Sequence, residues 1–469
     1  MEYGFLSVLP PVLTIVLAIM TKNVFVSLFT GIVLGNLVLT GGNPIVALDK
    51  SFNGVVKTFS SSGNTIVIAS ILMIGALIYL IEKSGGITGF VDFMVKKRGL
   101  IKSKRAANIF TWLIGVFVFT SGSLSCMVTG SVARPINDAM KVPHEKAAFL
   151  VHSTSTPVCV LLPLSGWGAS MIGYLTSGGI PEADAGAILV SSIALNFYCI
   201  LAVGGCLVLA ILDKDFGPMK EAELRAAATG ALDREESGEK ALAADELAGV
   251  VPRAMNLFIP MGTLIATILG VLFVTGEGDM LKGHGMNALL WGVSVALIVM
   301  CLMCVLEGIY TTNQVISEAF KGAGGMLSIA MILAFGFAMG TLVKSLGTGN
   351  YLSHVFAQTL SPGLLPVLVF LLACVLSFAT GTSMGTMAIT SVIALPMAMN
   401  LGVSLPLVAS AIWGGSIFGD HASPISDTTI MSCATTGCDI IDHVKTQAPY
   451  VLGFAGVTVV LYLIAGFVL

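Results

Sequence analysis

Charge is what this 469-residue chain has least of: 10% of its residues are Asp, Glu, Lys or Arg, against about 25% in soluble domains. With 55% hydrophobic residues, the surface is too apolar for water, so lipid is the solvent for most of the chain. A net charge of −3 offers no basic excess for nucleic acid, which excludes that partner class. The phosphate-cradling Gly-x-x-x-x-Gly-Lys-Ser/Thr loop is missing, so ATP hydrolysis by this chain has no support. Also missing are His-Glu-x-x-His and any metal-spaced Cys/His set, so no enzyme activity and no resident cofactor is expected. The nine cysteines are scattered; Cys301 and Cys304 have CxxC spacing but sit mid-helix, as small core residues do. The Met-Glu-Tyr-Gly start lacks the basic region of a secretory signal, so the first apolar segment is expected to be kept.

What the chain does have is apolar runs of membrane-crossing length, which need about 20 residues each. They lie near 5–21, 23–41, 65–82, 106–124, 147–172, 186–212, 254–275, 286–306, 325–343, 363–380, 404–419 and 450–468. Shorter pieces near 125–140 and 384–399 follow Gly- and Ser/Thr-rich breaks and read as half-helices or re-entrant arms. The fold class is therefore all-α: a polytopic membrane protein of about 12 hydrophobic segments with broken or re-entrant helices.

The two halves repeat. Adding 261 to Gly63, Gly75, Lys83, Ser84 and Gly86 lands on Gly324, Gly336, Lys344, Ser345 and Gly347. The same offset takes Pro135, Pro163 and Ser165 to Pro396, Pro424 and Ser426. Three regions follow: residues 1–212 as the first transmembrane repeat, 213–253 as a solvated linker, and 254–469 as the second repeat. The loop over 96–105 carries Lys96, Lys97, Arg98, Lys102, Lys104 and Arg105, whereas its counterpart over 344–362 carries only Lys344. Positive charge marks the cytoplasmic side, so equivalent loops face opposite sides and the repeats are inverted. The linker, with Lys214, Lys220, Arg225, Arg234, Lys240 and Arg253, is expected to be cytoplasmic too.

Inverted-repeat carriers place their cargo site at broken helices near the midplane. Here the breaks are Thr120-Ser-Gly-Ser123 and Ser153-Thr-Ser-Thr-Pro157 in the first half, and Thr380-Gly-Thr-Ser383 and Gly419–Thr429 in the second. Asp420 and Asp427 lie deep in apolar sequence, where a carboxylate costs about 2.5–3.5 kcal/mol on insertion scales. A transported cation would compensate that cost. Hydroxyls of Ser423, Ser426, Thr428 and Thr429, with Thr382 and Ser383 from the neighbouring break, suit a hard ion such as Na+. Na+ is thus expected at Asp427 and Asp420. At the 261 offset Asp420 corresponds to Cys159 and Asp427 to Gly166, so the acidic pair belongs to one copy alone. The hydroxyls of Thr120, Ser121 and Ser123, and of Ser153, Thr154, Ser155 and Thr156, then offer a place for an organic carboxylate facing half-helix N-termini. His421 is either a proton carrier or a packed, hydrogen-bonded side chain beside Asp420. Asp138 is expected to pair with Arg134 one turn away, and Asp439, Asp442, His443 and Lys445 to form a solvated turn.

The segment Trp413-Gly-Gly-Ser-Ile-Phe-Gly-Asp-His-Ala-Ser-Pro-Ile-Ser-Asp-Thr-Thr429 resembles the signature of the NhaC-type Na+/H+ antiporter family. Gly437-Cys-Asp-Ile-Ile-Asp-His-Val-Lys-Thr-Gln-Ala-Pro-Tyr450 resembles it as well. That resemblance implies Na+-coupled secondary transport in a cell (inner or plasma) membrane, most simply Na+/H+ antiport. It places Asp420, Ser423, Ser426, Asp427 and Thr428 in the signature. Relatives of the family exchange malate and lactate or carry amino acids, so a small carboxylate or amino acid is the alternative cargo. The expected partners are the lipid bilayer, Na+ and H+, with a homodimer as the default assembly for such carriers.

Overall fold

The computed structural model describes residues 3–21, 23–95, 103–119, 121–162, 166–234, 251–278 and 284–469. Among them every regular element is a helix. Helix starts follow the polar residues that the sequence supplies: Asn23, Ser61 and Ser103 each accept a hydrogen bond from a first-turn N–H. Stops fall at glycines in the left-handed region, among them Gly347 (φ +67°), Gly381 (φ +66°) and Gly437 (φ +85°), where a side chain would strain the backbone.

Nine helices among the described residues are long and apolar enough to cross a membrane, or ten if one bent pair counts as a span. Three of the twelve expected segments are split. The run at 106–124 ends as Lys104–Phe117 and restarts at Gly122. The run at 147–172 breaks at Ser155 and again before Gly166, with a 54° bend. The run at 186–212 divides into Glu182–Ala194 and Phe197–Leu212. The first two runs part at the Ser/Thr-rich breaks read from the sequence, whereas the third parts at Leu195–Asn196, where Asn196 caps the second helix. Pro44–Thr58 and Thr312–Gly325 are among the helices that lie outside the expected segments. Each exposes large apolar residues, Phe52 and Val56 on one and Ile316 and Phe320 on the other.

The repeat is visible element by element. At the 261 offset, Ser62–Lys83 matches Leu327–Leu346, Lys104–Phe117 matches Leu365–Thr380, and Gly122–Ala139 matches Ser383–Leu401. His144–Thr154 with Thr156–Leu161 matches Leu405–Ala422, and Gly166–Ser177 matches Asp427–Thr436. The matched helices Ser62–Lys83 and Leu327–Leu346 run antiparallel. Asn64 shares a cavity wall with Lys344, Val67 and Leu333 both meet Gly173, and Gly75 meets Met326. Position thus rises along one helix as it falls along the other, so the repeats are inverted. They also exchange partners. Gly166–Ser177 packs on Ser383–Leu401 of the other repeat, while Asp427–Thr436 packs on Gly122–Ala139.

One crossing illustrates the fit. A Cβ on Gly322 would stand 2.5 Å from Tyr79 Cβ and 2.6 Å from the Gly75 carbonyl oxygen, whereas Gly324 faces open space. Gly322→Val should therefore lose about 1–3 kcal/mol through overpacking, read as a lower Tm in detergent. Gly324→Ala should leave Tm unchanged or slightly raised, since alanine favours helix; equal Tm losses would contradict the packing.

The linker departs from the solvated stretch expected. Residues 235–250 lie outside the described residues, but Gly217–Thr229 is a helix seated on the membrane portion. Three consecutive residues at the start of the first broken helix hold it there. His144 bonds Asp233 at 2.8 Å, Glu145 pairs with Arg225 at 2.9 Å, and Lys146 grips both Asp215 oxygens at 2.6 and 2.7 Å. Lys104 pairs with Glu223, and the Tyr450 hydroxyl donates to Asp215 at 2.8 Å. Burying charge needs partners of this kind. The expected Arg134–Asp138 contact is present at 3.8 Å, with His144 closer to Asp138 at 3.0 Å. The loop over 96–105 is described only from Ser103 on.

Candidate functional site

Four helices begin at one place. Gly122, Gly166, Ser383 and Asp427, the first residues of two matched pairs, all line a cavity of about 410 Å³. Each helix brings the positive end of its dipole to the cavity. The breaks that sequence assigned separately to an ion and to an organic carboxylate therefore meet in a single space. Ser121, Ser123 and Thr156 enter from the first repeat; Thr382, Ser383, Asp420, Asp427 and Thr428 enter from the second. Thr120 lies outside the described residues.

The two aspartates occupy different surroundings. Asp427 is open to the cavity and accepts a hydrogen bond from Ser123 Oγ at 2.8 Å, a bond that joins the two repeats. Asp420 is buried, 2% exposed, and its oxygens accept from Ser426 Oγ at 2.7 Å and Thr428 Oγ1 at 3.2 Å. Not all the expected hydroxyls face the cavity. Ser423 donates to the Phe378 carbonyl and Thr429 to the Ser423 carbonyl, so both tie down the break. Thr154 and Ser155 donate to carbonyls of their own helix, Leu150 and His152.

Behind the cavity lies a buried histidine cluster. His152 Nε2 meets Thr428 Oγ1 at 3.1 Å, and its Nδ1 meets His443 Nε2 at 3.1 Å. His421 bonds Tyr198 OH at 2.9 Å and Ser153 Oγ at 3.3 Å, with its ring 4.4 Å from that of His152. His443 is fully buried, not part of a solvated turn, because its helix turns that face inward while Asp439 caps the helix N-terminus. Sequence reasoning missed His152, His443 and Tyr198 as a unit; the signal was three histidines, each within an apolar or family-like stretch, with no local partner. Trp167 and Met384, also on the cavity wall, were missed because nothing distinguishes them from core residues in sequence.

Inverted repeats, broken helices and an acid-bearing cavity at their junction define a secondary transporter. The chain matches the Na+/H+ antiporter family over residues 158–467, and it belongs to that family. It is 30% identical to an uncharacterized protein of Haemophilus influenzae, covering 98% of this chain and 91% of that protein. It is 27% identical to the malate-2H(+)/Na(+)-lactate antiporter of Bacillus subtilis, but over 37% of this chain and 38% of that protein. The YdaH transporter of Alcanivorax borkumensis shares the fold with a TM-score of 0.56 at 15% identity, covering 89% and 88% of the two chains.

Proposed function

We propose that the protein exchanges Na+ for H+ across the cell membrane by alternating access. Asp427 is the carboxylate for which the two cations compete. The observation that carries this is its position: an exposed carboxylate on a cavity built by both repeats, held by a hydroxyl of the opposite repeat, with the second lining carboxylate, Asp420, buried behind it. Na+ would take oxygens of Asp427 and Ser123, with Thr382 and Ser383 nearby, and Asp420 would add negative charge from behind. Binding at the inter-repeat junction links ion occupancy to the relative position of the repeats, as alternating access requires. The linker face, with Lys104, Arg105, Lys214, Lys220 and Arg225, is the cytoplasmic one under the positive-inside rule.

A second reading, the same cavity with a small organic cargo, is favoured by its size. A volume of about 410 Å³ is that of a small-molecule pocket and far exceeds the need of one ion.

The deciding experiment follows lumenal pH in proteoliposomes after an imposed Na+ gradient, with no organic solute. Wild-type protein should move protons in response to Na+, and Asp427→Asn should not. A flat trace from wild-type protein that melts cooperatively would overturn antiport.

A further inference from the structure

The cavity has two unlike walls. The repeat that places Asp427, Ser123 and Thr428 on one wall places their counterparts Gly166, Met384 and Trp167 on the other. All six line the space, so pseudo-symmetric positions have become polar and acidic on one side and apolar on the other. Ile332 extends the apolar wall. Methionine and isoleucine offer a bare cation no charge or oxygen to bind, whereas an apolar group gains from contact with all three side chains.

The polar groups of the cavity offer two opposite chemistries. Asp427 attracts a cation, while the first turns of the helices at Gly122 and Ser383 attract an anion. A second observation points to a ligand there. Thr156, 2% exposed and lining the cavity, has a hydroxyl with no hydrogen-bond partner among the described residues. A buried unpaired hydroxyl is costly and calls for an occupant with a polar group.

We propose that the cavity takes a zwitterionic α-amino acid with an apolar side chain; this rests on the cavity being the transport site. The ammonium faces Asp427, where it competes with Na+. The carboxylate faces the helix starts at Gly122 and Ser383 and accepts a hydrogen bond from the Thr156 hydroxyl. The side chain lies against Trp167, Met384 and Ile332. A dicarboxylate would set a second charge against the apolar wall, and a dibasic amino acid would bury an unpaired ammonium there, so both are disfavoured.

The test is equilibrium binding of radiolabelled leucine and phenylalanine to the purified full-length protein, with arginine, aspartate and malate alongside. Na+-driven proton movement is measured on the same preparation. The expected result is saturable leucine or phenylalanine binding that Na+ displaces, weakened at least tenfold by Met384→Ser and by Ile332→Ala. Thermal melting shows whether each variant is folded, and two variants on separate helices guard against the failure of one. Preference for arginine, aspartate or malate overturns the proposal. So does absence of amino-acid binding, and if Na+-driven proton movement then persists, antiport stands without it. Leucine binding without Na+-driven proton movement supports the proposal and overturns Na+/H+ antiport instead.

Discussion

Asp427→Asn is expected to raise the Na+ concentration for half-maximal binding by roughly 30-fold or more, besides abolishing Na+-driven proton movement, while Tm stays within a few degrees of wild type. Removing one member of a close charge pair costs about 2–5 kcal/mol, and every 1.4 kcal/mol is about tenfold in affinity. Stability should hold because Asp427 faces the cavity and has a single hydrogen bond from Ser123. Ser123→Ala removes only the group that orients the carboxylate, and such partners are worth about 10- to 100-fold in ion affinity. Asp420→Asn should behave differently. It replaces an acceptor with a donor opposite the Ser426 and Thr428 hydroxyls, so its loss should appear in Tm as well as in transport. An unchanged Na+ half-saturation in Asp427→Asn would remove this residue from the ion path.

Lys146→Met is expected to cost about 3–5 kcal/mol of stability, the price of leaving Asp215 buried without its cation. Lys146 and Asp215 are 0% and 2% exposed, so water cannot take over. The double variant Lys146→Met/Asp215→Leu should recover most of that loss, because apolar replacements of a buried pair are often neutral. Thermal unfolding in detergent, followed by tryptophan fluorescence, measures both. If single and double variants melt alike, the pair is not coupled. The effect should reach transport, since Lys146 lies on the helix that carries His152 and ends at the Ser155 break.

The repeat was readable because the 261-residue offset keeps proline at matched places, Pro135 inside Gly122–Ala139 and Pro396 inside Ser383–Leu401, and the inversion because the loops at matched places differ in charge. The glycine matches do not share one packing role: Gly75 sits against Met326 and Gly322, whereas its counterpart Gly336 faces open space. Asp427 was readable for a simpler reason: a carboxylate inside an apolar run needs an explanation wherever it occurs. The linker was not readable. Its Glu, Lys and Ala composition suits a solvated helix, and the partners that make it structural, Glu145 and Lys146, sit more than 60 residues earlier in sequence. Nor was the unity of the cavity. Ser123 and Asp427 are 304 positions apart, and no local pattern announces a contact between the starts of two helices.

The exchange of packing partners between the repeats also bears on how such a molecule can change over generations. Because Gly166–Ser177 is completed by Ser383–Leu401, and Asp427–Thr436 by Gly122–Ala139, neither half owns a finished wall. A duplicated ancestor with two identical chains would have carried every cavity feature twice. With both halves in one chain, each matched position can take one role on one side only. Asp427 and Gly166, or Ser123 and Met384, hold matched places in the two repeats and differ in chemistry while the helices that carry them keep the same starts. A substitution in one half therefore alters one side of the container and leaves the other as it was.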